Sequence, residues 1–348
     1  MDVFTTNFRV SRSPEAHRDA NPVARIRGVT IAAIASVALA GPAAATEIVL
    51  RVADTQPADY PTVLALEYMA ERASAMSAGR LTFKIYPARQ LGEEKDTILA
   101  TIFGAIDMNR VSSAPLGTMV PELQILGLPY LFADQEHFRR VIDGDIGADI
   151  LAFLEPHGMV GLAYFDAGAR SFYSTRPIHT VDDFRGLKIR VQNTPLYVEM
   201  VEYLGGNATP MSFGQVYESL LTGVIDGAEN NWPSYIATRH FEAAPYYTLD
   251  QHTMVPEVLV MSKKRWDELD AGQKSVLRQA AKDAALHMRR LWDARVDQAR
   301  AAARDAGVTV IDGVNQREFA AAAQGLLEPF MRNPVHADLI NRIRAAAP

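Results

Sequence analysis

The sequence predicts a two-lobed α/β protein in which each lobe is a mixed β-sheet flanked by helices. Three observations predict this class. Apolar strands and helices alternate along residues 47–111, and a second alternation of the same kind covers residues 180–228. Residues 270–306 contain no proline and repeat apolar residues at helical spacing. Such a helix, about 50 Å long, exceeds one small lobe, so we expect it to span both.

The first unit follows a regular strand–helix order, which favours parallel strand pairing with helices covering the sheet. We predict strands over residues 47–53, 80–86, 106–111 and 160–165, helices over residues 60–78 and 93–103, and two short helices broken at Gly144 within residues 132–154.

The second unit opens with a capping-box pattern, Thr180 with Asp183. Strands are predicted over residues 187–191 and 224–228, helices over 194–204 and 212–221, and further terminal helices over 318–347. The predicted lobes are residues 46–167 with 255–348, and residues 168–254. For residues 270–306 the alternative is two helices joined by a kink.

The N-terminus has the pattern of a secretory signal peptide. Arg25 and Arg27 precede an uncharged apolar run over residues 28–40, and the small residues 43–45 predict cleavage near Ala45. The run is shorter than the roughly 20 residues of a spanning helix, so an uncleaved anchor is the less favoured alternative. Residues 1–45 are therefore assigned to a signal peptide with an N-terminal extension, and the protein is expected in the periplasm. Residues 1–24 are either part of that extension or lie upstream of the true start.

Charge and composition exclude several classes of function. The chain carries a net charge of −6, and residues 1–45 hold five basic and three acidic residues, so the remainder carries −8. An acidic protein of this kind is unsuited to nucleic acid or anionic membranes. The absence of cysteine excludes disulfides and thiol nucleophiles.

No catalytic or cofactor motif is found in the sequence. It has no phosphate loop, no dinucleotide fingerprint, no nucleophile elbow and no histidine pair at helical metal-site spacing. We therefore predict neither a cofactor nor a metal, and a binding protein rather than an enzyme. A periplasmic hydrolase or lyase with a triad assembled from distant segments stays open as the less favoured alternative.

Arg190 is the first candidate for a binding site. Leu187, Ile189 and Val191 share one face of the predicted strand, whereas Lys188 and Arg190 share the other. A charge near the end of a strand in a covered sheet lies either in a ligand cleft or on a solvated edge. In a cleft, its planar guanidinium would hold a small carboxylate in a fixed orientation.

Further polar candidates come from two other segments. Glu229, Asn230 and Asn231 follow the last predicted strand on a tight turn, where asparagine is also common for backbone reasons. Arg170 lies where the chain crosses to the second unit, and it is either a second ligand cation or a solvated connector residue.

Two aromatic residues and two serines complete the candidate set. Phe213 and Trp232 would give an apolar floor for a ligand ring, or they are ordinary core residues. Ser112 and Ser113 close the third strand and either donate hydroxyls to a ligand or cap the next helix.

Six motifs, in this order and spacing, resemble the DctP-type solute-binding proteins of TRAP (tripartite ATP-independent periplasmic) transporters, over nearly the whole chain after residue 45. They are Gln90-Leu-Gly-Glu-Glu, Leu128-Pro-Tyr-Leu-Phe, Asp182-Asp-Phe-Arg-Gly-Leu-Lys-Ile-Arg190-Val, Pro210-Met-Ser-Phe-Gly-Gln-Val-Tyr217, Leu221-Thr-Gly-Val-Ile-Asp-Gly-Ala-Glu-Asn230 and Val260-Met-Ser-Lys-Lys-Arg-Trp266.

The resemblance implies a type II-like periplasmic binding fold whose two lobes close over a small organic acid. It implies that Arg190 forms a bidentate pair with the ligand carboxylate, and that Arg170, Asn230 and Phe213 match the family's other ligand contacts. It also implies delivery to a membrane permease driven by an ion gradient, whereas an ATPase partner would indicate an ABC-type system. A monomer is expected, with a dimer through the long helix as the alternative.

One departure bears on the ligand. Many members have Glu-Asn-Pro at the turn, whereas this chain has Glu229-Asn230-Asn231-Trp232-Pro233, which resembles members that bind sugar acids. We therefore expect a hexuronate such as galacturonate or glucuronate, or an aldonate, with its hydroxyls on Glu229, Asn231 and the two serines. A C4-dicarboxylate held by Arg190 and Arg170 is the alternative.

Overall fold

Residues 47–348 are described by a computed structural model. The predicted signal peptide and its cleavage position near Ala45 lie outside these residues. Within them, no helix combines the length and the apolar character needed to cross a membrane.

The described chain is built from eleven strands and thirteen α-helices. The strands are β1 (Ile48–Ala53), β2 (Leu81–Tyr86), β3 (Met108–Ser112), β4 (Met159–Phe165), β5 (Ala169–Ser174), β6 (Lys188–Val191), β7 (Asn207–Pro210), β8 (Gly227–Asn230), β9 (Tyr246–Met254), β10 (Glu257–Ser262) and β11 (Thr309–Ile311). The helices are α1 (Pro61–Met76), α2 (Glu94–Ile102), α3 (Ser113–Leu116), α4 (Gln135–Asp143), α5 (Asp145–Ala152), α6 (Pro195–Tyr203), α7 (Val216–Leu221), α8 (Trp232–Ala237), α9 (Lys263–Asp267), α10 (Ala271–Asp305), α11 (Gln316–Ala322), α12 (Leu327–Arg332) and α13 (Pro334–Ala345).

The first sheet has the strand order β2-β1-β3-β10-β4. Strand β1 pairs parallel with β2 and β3, as the strand–helix alternation predicts. Strand β10 comes much later in the chain than β3 and β4, and it pairs antiparallel with both. This late strand makes the sheet mixed and brings residues near position 257 beside the end of β3.

The second sheet has the order β11-β9-β5-β8-β6-β7. Strand β6 pairs parallel with β7 and β8, whereas β5 pairs antiparallel with β8 and β9. Strand β11 pairs parallel with β9. Residues 309–311 therefore belong to this sheet, although the predicted boundaries group them with the first lobe, because the long helix ends beside the second sheet.

Helix α10 is a single unbroken helix of 35 residues. Asp270 and Gln273 form a reciprocal capping box at its start. Its residues from Leu277 to Trp292 pack in the core of the first sheet, and Ala299 and Ala303 near its C-terminal end pack in the core of the second sheet. The prediction of two mixed sheets with a long helix spanning both is confirmed.

Three local differences from the prediction concern segments that carry candidate site residues. Arg170 lies within strand β5 rather than in a connector. The strand predicted over 224–228 occupies Gly227–Asn230 instead. The helix predicted over 212–221 begins as a 3-10 turn, Phe213–Gln215, before α7. The first two differences place Arg170 and Asn230 on neighbouring antiparallel strands.

Candidate functional site

A cavity lies between the two sheets and receives side chains from both. It contains about 570 Å³ of space that no atom fills, counted to its open mouth. The first sheet and its helices contribute Thr55, Gln56, Glu93, Glu94, Lys95, Arg110, Pro115 and Glu257, and the second contributes Arg170, Arg190, Gln192, Asn193, Ser212, Phe213, Asn230 and Ser234.

Arg190 reaches the cavity from strand β6 and is a buried cation without an anion. Only 3 % of the residue is exposed. Its Nε and Nη2 donate to the main-chain carbonyl of Met211 at 3.1 and 2.8 Å. Among residues 47–348 no carboxylate lies within 4.0 Å of it. Burial lowers the pKa of Arg190, and the charge of Glu229 offsets this effect only in part.

Arg170, in contrast, is fully neutralised within the protein. Its Nη2 donates to Glu229 Oε1 at 2.9 Å, and its Nε donates to the other carboxylate oxygen. Behind Glu229 lies His252, 3.6 Å away, whose Nδ1 is 2.7 Å from Asp250. These four side chains form a buried chain of contacts in which cations and anions alternate. Burial opposes ionisation of Glu229, but Arg170 and His252 lower its pKa to about 2.

The buried chain also orients Asn230. The Asn230 Oδ1 accepts a hydrogen bond from Arg170 Nη1 at 2.9 Å and another from the Asn231 N–H at 2.9 Å. With its oxygen doubly occupied, Asn230 has both Nδ2 hydrogens left for the cavity. It therefore presents donors on the same side as the unpaired guanidinium of Arg190.

Phe213 supplies an apolar part of the cavity lining. Its ring meets His240 edge-on, with centroids 6.0 Å apart. Burial, and then the charge of Arg190, lower the pKa of His240 to about 3, so this histidine is neutral beside the site.

The opposite wall, on the first sheet, is acidic and was missed by the sequence analysis. Arg110 is 1 % exposed and donates to Asp54 through Nε at 3.0 Å and through Nη2. Its Nη1 donates to Glu257 at 2.6 Å and to Glu94 at 3.4 Å. Burial and then Glu257 raise the pKa of Glu94 to about 7. Glu94 belongs to the motif Gln90-Leu-Gly-Glu-Glu, which was the available signal.

Five of the nine predicted site residues do not line this cavity. Glu229 lies behind Arg170 and is fully buried. Asn231 caps α8 by accepting from Ser234 N, and Trp232 stacks on Tyr247. These two line a separate cavity beside α10.

Ser112 and Ser113 are also buried away from the cavity, and neither Oγ has a partner. The cavity thus unites Arg190, Arg170, Asn230 and Phe213 of the predicted set. In the described part of the chain no group of three or more histidine or acidic residues is arranged to hold a metal ion.

Comparison with known proteins gives consistent matches along the chain. The family described as bacterial extracellular solute-binding protein, family 7 (DctP) matches residues 52–333. A solute-binding protein of Chromohalobacter salexigens is 40 % identical over 83 % of this chain and 87 % of its own length.

Two solved structures resemble the chain in sequence and in fold. A TRAP periplasmic solute-binding protein from Bradyrhizobium sp., in complex with α/β-D-galacturonate, is 48 % identical, with a TM-score of 0.84 over 86 % of this chain and 100 % of that one. Its counterpart from Xanthobacter autotrophicus, with bound β-D-galacturonate, is 46 % identical, with a TM-score of 0.84 over 85 % and 99 % of the two chains.

Proposed function

The chain belongs to family 7 of the bacterial extracellular solute-binding proteins, and we propose that it is the receptor of a TRAP transporter for a hexuronate such as galacturonate. It binds the sugar acid between its two sheets without chemical turnover and passes it to a membrane permease. Export by cleavage near Ala45 and a monomeric state belong to the same proposal. Support comes from the bound galacturonate in two similar structures.

The observation that carries the proposal is the unpaired guanidinium of Arg190. Arg110 and Arg170 are buried to the same degree, but each has carboxylates of the protein within hydrogen-bond distance. Buried charges are ordinarily paired, since an isolated ion in a low-dielectric interior is costly. A ligand carboxylate at Arg190 supplies the missing anion, and the Nδ2 group of Asn230 donates to it.

Isothermal titration calorimetry on Arg190→Met tests the assignment. Because the substitution removes a charge-assisted pair, affinity for galacturonate should fall by about 2–5 kcal/mol. Arg317→Met, at an exposed position on α11, is the matched control and should bind as the wild type does. Unchanged affinity in Arg190→Met removes this residue from the site. If the protein converted galacturonate into a product, it would be an enzyme, and the receptor proposal would be wrong.

A further inference from the structure

The wall opposite Arg190 presents two carboxylate oxygens that no protein group uses. Glu94 accepts through Oε1 from Ser112 N at 3.1 Å and from Arg110 at 3.4 Å, and Glu257 accepts through Oε2 from Arg110 at 2.6 Å. The second oxygen of each carboxylate accepts no hydrogen bond within residues 47–348, and both residues line the cavity. Ionised carboxylates accept hydrogen bonds and donate none.

This wall also carries more negative than positive charge. Arg110 is the buried cation among three carboxylates, and Asp54 accepts from both its Nε and its Nη2. The raised pKa of Glu94, caused by burial and then by Glu257, is consistent with such an excess. Two further charged residues line the cavity near this wall. Glu93 is paired with Arg89 at 3.5 Å, and Lys95 has an exposed side chain.

We propose that Glu94 and Glu257 determine the ligand class: they accept hydroxyl hydrogens from the end of the sugar acid remote from its carboxylate, and they exclude ligands with a second carboxylate there. This inference rests on the proposed function, because it takes the first carboxylate to lie at Arg190. The second sheet gives the cavity the unpaired cation Arg190, and the first sheet gives it the excess of carboxylates. The cavity therefore fits a polyhydroxy monoacid and disfavours a dicarboxylate, whose second charge would meet Glu94 and Glu257.

Two open-chain sugar acids give a matched test. Galactonate and galactarate share one carbon chain, and a terminal hydroxymethyl group in the first is a carboxylate in the second. Calorimetry at pH 8, above the raised pKa of Glu94, compares these two ligands with galacturonate. The wild type should bind galactarate roughly 100-fold more weakly than galacturonate, and more weakly than galactonate, because like charges oppose each other in a desolvated site.

Removing one acidic charge should relax this selectivity. Glu94→Gln keeps the shape of the side chain and should narrow the galactarate-to-galacturonate ratio by roughly tenfold, through tighter binding of galactarate. Glu257→Gln should act in the same direction, and it carries the test if circular dichroism shows that Glu94→Gln is unfolded. Glu67→Gln, at an exposed position on α1, makes the same change in net charge and should leave the ratio unaltered.

The possible results separate a failure of the inference from a failure of the receptor function. If the wild type binds galactarate as tightly as galacturonate, or both glutamine variants leave the ratio unchanged, the inference is overturned. The receptor function would survive that result as long as Arg190→Met still loses galacturonate. If no sugar acid binds the wild type, both the receptor function and the inference are overturned.

Discussion

Alkaline pH should destabilise this fold through His252, which lies in the buried chain behind Arg170. Burial alone would lower the pKa of His252, but Asp250 at 2.7 Å and Glu229 at 3.6 Å raise it to about 9. The unfolded value is about 6.5. The folded state therefore holds a proton between pH 6.5 and 9 that the unfolded state has released. The stabilisation is complete below pH 6.5 and is lost as pH rises through 9.

The size of the effect follows from the width of that window. Stability should fall by about 1.4 kcal/mol per pH unit, or about 3 kcal/mol from pH 6.5 to 9. Urea unfolding followed by circular dichroism at closely spaced pH values measures this slope. His252→Asn should be about 3–5 kcal/mol less stable at pH 6.5, because it leaves the buried carboxylate of Asp250 without its cation, and it should lack the slope.

A matched control separates this residue from the background titration of the protein. His157 is exposed, so His157→Asn should keep the full alkaline slope. The reasoning is refuted if wild-type stability is flat between pH 6.5 and 9, or if the slope persists in His252→Asn. Either result would mean that His252 is neutral in the folded protein and does not hold Glu229 electrostatically.

Three further predictions follow from other contacts. The raised pKa of Glu94 means that the folded protein disfavours the charged form of this side chain. Stability should therefore fall by about 3 kcal/mol as pH rises from 4.5 to 7. The same pH series on Glu94→Gln should lack that decline. A β-carbon on Gly227 in β8 would lie 2.6 Å from the main-chain oxygen of Tyr173, so Gly227→Ala should lower the free energy of unfolding by about 1–3 kcal/mol in urea unfolding; wild-type stability would show that the contact yields freely. In α10, Leu277→Ala should lower the free energy of unfolding by about 2–5 kcal/mol. Leu286→Ala, at an exposed position, should change it by about 0.5 kcal/mol or less. Equal effects in urea unfolding would contradict the packing of this helix.

The architecture was predictable where local pattern decides the structure. Helix α10 could be predicted because its apolar residues keep one period over 35 residues and Asp270 caps its start. Strand β10 was not predicted, although its residues are apolar. Its pairing with β3 and β4 depends on contacts about 100 to 150 residues distant in sequence, and no local period records such a contact.

The same limit applies to the candidate site, where local pattern could indicate single residues but not their contacts. Arg190 could be proposed because a charge interrupts an apolar strand, but the alternation could not tell a cavity from bulk solvent. Asn231 does not line the cavity with Arg190. The same residue type suits a ligand turn and a helix cap, and here it caps the Trp232-Pro233 start of α8. Glu257 was missed because it meets Arg110 across 147 positions, which only the folded first sheet brings together.

The unpaired guanidinium links ligand binding to the stability of the protein. Arg110 and Arg170 keep their charges in the interior because carboxylates of the chain pay the electrostatic cost of burial. Arg190 has only carbonyl oxygen as a partner, and burial lowers its pKa, so the unliganded fold carries part of that cost. A carboxylate bound at Arg190, as proposed, would offset that cost, and ligand at 100 times its Kd should stabilise the fold by about 2.7 kcal/mol. On the proposed assignment, affinity arises from an interaction that the folded chain leaves unmade. Arg190→Met, which removes the buried charge, should then lose the ligand without losing stability in its absence.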